Sequence, residues 1–112
     1  MIRIEALVDD AGVLRFCKAV GHGGRGNAGS DIVCAAVSVL MRGAHRTLSG
    51  RKGITLRADA PQPGLFWLEA DYSAEGKEFL FASGAFLLEG LASVAEEFPE
   101  NCKLIVRTER RS

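Results

Sequence analysis

The chain has 112 residues, 47% hydrophobic and 25% charged, enough for one domain with its own core and too apolar for a disordered segment. Lys+Arg and Asp+Glu stand at 14 each, so no net field draws the chain to nucleic acid or to an anionic membrane, and neither is required as a partner. Met1-Ile2-Arg3-Ile4-Glu5 mixes charge into the start, no secretory signal is expected there, and no later run approaches the ~20 apolar residues of a membrane span.

Ile2, Ile4, Ala6 and Val8 alternate with Arg3, Glu5 and Leu7, the pattern of a half-buried strand. Asp9-Asp10-Ala11-Gly12 is hairpin-turn chemistry, so Val13 to Val20 returns as its antiparallel partner. Gly21, Gly23, Gly24, Gly26 and Gly29 follow, too dense for helix or strand interior, where each glycine costs roughly 0.5–1 kcal/mol relative to Ala. A loop so rich in glycine lets a substrate chain approach closely and is expected to be mobile until substrate binds. The same stretch spells Gly21-x-Gly23-x-x-Gly26. That is a weak dinucleotide fingerprint, because a hairpin precedes it and the helix is expected five residues after its last glycine.

Ser30 or Asp31 reads as an N-cap, with a first helix from Ile32 to about Arg46 that is apolar on nearly every side and therefore largely buried. Gly50 to Gly53 resets the chain. Ile54, Leu56 and Ala58 mark a third strand, Pro61-Gln62-Pro63-Gly64 a turn, and Leu65 to Tyr72 a fourth strand. Glu75-Gly76-Lys77 resembles a loop, and Ser83 caps a second helix whose stripe runs Phe86, Leu87, Gly90, Leu91, Val94, Ala95 and Phe98 to Pro99. Leu104-Ile105-Val106 closes the order ββαββαβ. The expected fold is α+β, a largely antiparallel sheet packed with two helices, in a single domain over residues 1–112.

Cys17, Cys34 and Cys102 are odd in number, form no C-x-x-C pair and lack zinc spacing with His22 or His45. No metal or cofactor is expected, and a reducing cytoplasm fits. Among alanines and valines Cys34 reads first as a small buried hydrophobe. With Asp31 as cap, however, it falls in the first helical turn, where the dipole favours a thiolate and helix N-terminal amides can serve an oxyanion. Ser38, four residues on, shares its face and can support the thiol or a bound substrate. His45 lies 45 − 34 = 11 residues along the helix, roughly 16 Å away, too far to act as a base. His22, on the glycine tether, is the candidate base; Asp31 either caps the helix or orients the imidazole.

Gly21-His22, a glycine-rich spacer and Gly29-Ser30-Asp31-Ile32-Val33-Cys34-Ala35-Ala36-Val37-Ser38 resemble the ribosomal-processing cysteine proteases, the Prp family. Its pattern is Gly-His-Ala, a mobile loop, then Gly-x-Asp-Ile-Val-Cys-Ala-Ala-Val-Ser, and Gly23 here stands where the family has alanine. The resemblance implies Cys34 as nucleophile, His22 as general base, and Asp31 and Ser38 as supporting residues. It also implies a cytoplasmic homodimer that removes an N-terminal extension from a large-subunit ribosomal protein of bacteria. Two other readings compete with this endopeptidase: a non-catalytic ribosome-associated module binding through the basic segment Arg42 to Lys52, and a small anion or nucleotide binder using the glycine loop.

Overall fold

The computed structural model of the chain describes residues 1–21 and 28–109, side chains excepted at 28–30. Its elements are β1 (Ile2–Val8), β2 (Leu14–Val20), α1 (Ala28–Leu48), β3 (Ile54–Gln62), β4 (Leu65–Tyr72), α2 (Lys77–Glu97) and β5 (Cys102–Thr108). The expected ββαββαβ order holds. The strands form one sheet in the order β3-β4-β2-β1-β5, antiparallel except where β5 lies parallel to β1.

Register decides which face is covered. Ala6 lies opposite Cys17, and Cys17 opposite Leu68, so three buried residues line up across β1, β2 and β4. Both helices close over this face. Val33, Val37 and Met41 of α1 and Leu87 and Leu91 of α2 join Ile2, Ile4 and Ala19 in the main cluster. A smaller cluster of Val13, Leu48, Ile54, Ala70 and Leu80 closes the other end. The opposite face carries Arg3, Glu5, Arg57 and Glu69, with ion pairs Arg3–Glu5 at 3.6 Å and Arg57–Glu69 at 3.5 Å. Such exposed pairs add little stability.

Several expected details are corrected. α1 begins at Ala28, four residues before the expected Ile32, so Asp31 lies inside its first turn and is not the N-cap. Gly29 is likewise helical instead of part of the loop. The buried stripe Val33, Val37, Met41 and Leu48 anchors the helix beyond this turn, and carries Gly43 within it despite glycine's low propensity. The helix starts two residues after Gly26, not five, but β2 before it is still the second strand of a hairpin. α1 is buried on one face only: Ile32 and Val39 are exposed.

The second helix also starts early, at Lys77 after Gly76. Ser83 is inside it, its hydroxyl donating to the Phe79 carbonyl at 2.7 Å. Phe86 falls off the buried stripe, which is Leu80, Gly84, Leu87 and Leu91. By length and composition α2 is apolar enough to match a membrane span, contrary to the sequence expectation. Its apolar content has another use, since this stripe packs into the core. β3 runs on to Gln62, leaving Pro63-Gly64 as the turn.

Candidate active site

Cys34, Val37, Ser38, Met41 and Arg42 follow one another at helical spacing, so α1 presents them as one continuous stripe. They form one wall of a cleft of about 680 Å³. The tip of the β3–β4 hairpin, Ala60 to Phe66, faces them, and Ile2, Ala19 and Gly21 complete the lining. Cys34 and Ser38 therefore open into the same space.

The hairpin tip is shaped for this position. Pairing runs from Asp59↔Trp67 to Gln62↔Leu65, so Ala60 and Pro61 bulge out of the edge strand. A proline is tolerated there because an edge strand has no second neighbour to receive its missing N–H. Gly21 ties the tip to the start of the glycine segment, its N–H donating to the Gly64 carbonyl at 2.8 Å. Its φ of 129° and the Met1 carbonyl against it leave no room for a side chain, so only glycine fits.

Of the three thiols, Cys17 and Cys102 are buried in the core and Cys34 is half-buried at the cleft. Burial pushes the Cys17 thiol up to about 12 and also raises that of Cys102, which makes both poor nucleophiles. The Cys17 sulfur lies 3.7 Å from that of Met41, behind the cleft wall.

Cys34 is the seventh residue of α1, counting from Ala28. That corrects its expected place in the first turn. The four unsatisfied N–H groups are those of residues 28–31, so the Cys34 amide is already a helical donor and the dipole argument does not reach it. Asp31 is exposed and precedes Cys34 by three residues, without lining the cleft. His22, Gly23, Gly24 and Gly26 lie outside the described residues, as does the expected loop motion; Gly21, the residue before His22, lines the cleft. His45 is confirmed as remote, since α1 is unbroken through it, and its ring packs edge-on to Phe66 at 6.4 Å.

The basic segment does not form one surface. The Arg51 guanidinium lies 3.5 Å over the Phe79 ring, Lys52 pairs with Glu75 at 3.3 Å, and Arg42 turns to the cleft. What sequence reading missed is the hairpin wall and Arg42. Pro61 to Gly64 signalled a turn, but nothing local tells which helix that turn meets.

A family model described as cysteine protease Prp matches residues 1–103. A search of curated protein sequences finds no significant match. Among solved structures the chain is similar to SMU.848 from Streptococcus mutans, 26% identical with a TM-score of 0.81, covering 97% of this chain and 96% of that one. It also shares the fold of the essential ribosomal processing protease Prp from S. aureus in complex with a substrate peptide, at 24% identity and TM-score 0.79, covering 96% of this chain and 100% of that one. The same protease with a covalently linked product peptide matches equally well.

Proposed function

The chain belongs to the cysteine protease Prp family, and on that premise we propose that it is the cytoplasmic endopeptidase that removes the N-terminal extension of a bacterial large-subunit ribosomal protein. The observation that carries this reading is the placement of Cys34: among the described residues it is the cysteine that opens into a cleft, and that cleft is large enough for several residues of extended peptide.

In the proposed reaction the Cys34 sulfur attacks the scissile carbonyl carbon and forms a thioester. His22 takes the thiol proton and returns it to the departing amine, releasing the mature protein. Water, deprotonated by the same imidazole, then attacks the thioester and regenerates the thiol. In this reading Ser38, one turn beyond Cys34, donates its hydroxyl to the bound peptide or the thiol, and Asp31 orients the imidazole. The apolar lining from Val37, Met41 and Phe66 favours a substrate segment with apolar side chains.

We further propose that the protein works as a homodimer. Phe86 is 76% exposed and Val39 62%, and with Leu40 and Leu87 they line an apolar groove between α1 and α2, on a face a second copy would cover.

Incubating the enzyme with precursor large-subunit ribosomal proteins of its own organism, and weighing the products by mass spectrometry, tests the activity. One protein should lose its N-terminal extension, and Cys34→Ala should slow this by more than about a thousandfold with the fold intact. No shortened product with the wild type, or substantial cleavage by the variant, overturns the assignment.

A further inference from the structure

Arg42 is the one charged side chain among the described residues lining the cleft. The rest of that lining is apolar or neutral: Val37, Met41, Leu65 and Phe66 on one hand, Ser38 and Gln62 on the other. Arg42 is exposed, and no described carboxylate pairs with it. Arg15, Lys52 and Arg57 pair with Asp71, Glu75 and Glu69, and Arg51 lies over Phe79, whereas Arg42, like Arg46 and Arg107, has no ion pair among the described residues; its place in the cleft sets it apart. A guanidinium left over in a mostly apolar trough offers a planar fork of donors suited to a carboxylate.

From these observations we infer that Arg42 is a specificity-determining residue that binds a carboxylate side chain, Asp or Glu, of the substrate peptide. The inference rests on the peptidase reading and adds a substrate feature to it. For an extended peptide lying along α1, the helix spacing sets where the acidic residue falls. Arg42 follows Cys34 by 42 − 34 = 8 residues of continuous helix, about 12 Å along the axis at ~1.5 Å each. An extended peptide advances ~3.3 Å per residue, so this span is between three and four residues, and the reach of the arginine widens it to roughly three to five. The acidic residue therefore stands roughly three to five positions from the bond that Cys34 attacks. Before peptide binds, the guanidinium is solvated. A bound peptide excludes water from the trough and strengthens the pair.

Peptides anchored on Cys34 test this without depending on cleavage. One series carries a C-terminal chloromethyl ketone and the other an N-terminal chloroacetyl group, so that the chain leaves Cys34 in each direction. Asp, Asn or Lys is walked through the six positions next to the reactive group of an otherwise uncharged sequence. In one series, Asp three to five positions away should label Cys34 about tenfold faster than Asn, with the gain shrinking at high salt. Arg42→Glu should reverse the order and favour Lys at that position. Equal labelling by Asp and Asn throughout both series, or an Asp preference that survives Arg42→Glu, overturns the inference. A wild type that shows the Asp preference but cuts no precursor instead refutes the peptidase reading and leaves the carboxylate site standing.

Discussion

Three cysteines of the same chemistry meet three environments that differ in burial. Cys17 is fully enclosed, with its thiol pushed up to about 12, and Cys102 is 2% exposed, while Cys34 borders the cleft. Iodoacetamide at neutral pH should therefore modify Cys34 first, with Cys17 and Cys102 reacting only when the chain unfolds. Peptide mapping after a time course reads the order directly. If His22 is the base, His22→Ala should slow the Cys34 reaction near neutral pH and leave the other two unchanged. Modification of Cys17 ahead of Cys34 would remove the ground for placing the nucleophile there.

At the scale of elements, the β1–β2 turn is held by a buried carboxylate. Asp9 is 2% exposed; its Oδ1 accepts the N–H groups of Ala11 and Val13, each at 3.0 Å, and Oδ2 accepts the Tyr72 hydroxyl. Arg15 donates to the Ala70 carbonyl at 2.8 Å and pairs with Asp71, so the turn is fastened to the end of β4. Burial by itself pushes the Asp9 carboxyl up. The Tyr72 hydroxyl, the Val13 and Ala11 amides and the charge of Arg15 outweigh it and hold the group below its ordinary 3.8. A carboxyl depressed in the folded state contributes stability above its unfolded value and loses that contribution as pH falls through its folded value. Asp9→Asn should thus cost about 1–2 kcal/mol at pH 7, and the gap from wild type should narrow as pH falls below about 4. Urea unfolding at several pH values measures it, and a gap that does not narrow would mean that charge is not the cause. In sequence, Asp9-Asp10-Ala11-Gly12 signals a turn; its partner Tyr72, 63 residues away, appears only when β4 is laid beside β2.

For the whole molecule the notable surface is the groove between the helices, where Phe86 projects from α2 beside Val39 of α1. If a second copy covers it, Phe86→Asp should weaken association by about 2 kcal/mol or more, the usual cost of losing an aromatic anchor. The monomer should melt within a few degrees of wild type, since so exposed a ring adds little to the core. Sedimentation equilibrium across a concentration series reads both species. An unchanged association constant would place the interface elsewhere, and a monomeric wild type would end the homodimer proposal.

Residue order by itself determined the alternation of β1, the hairpin at Gly12, the extent of β4, the ββαββαβ order and the Cys34–Ser38 pair one helical turn apart. Each of these is a local property, set by a period of two or 3.6 residues or by turn chemistry, and needs no distant partner. Tertiary structure decided what depends on such partners. α2 starts at Lys77, ahead of its local signal at Ser83, because Leu80 packs into the core; α1 starts at Ala28, so neither Asp31 nor Ser83 is a cap. Phe86 shares the spacing of a core stripe yet stays outside, since the sheet covers only the side of α2 that holds Leu80, Gly84, Leu87 and Leu91. The cleft itself is a meeting of α1 with the β3–β4 tip across 18 or more residues of chain. Arg42 became a candidate site residue only there, because a cation's chemistry depends on which surfaces enclose it, and sequence spacing does not record that.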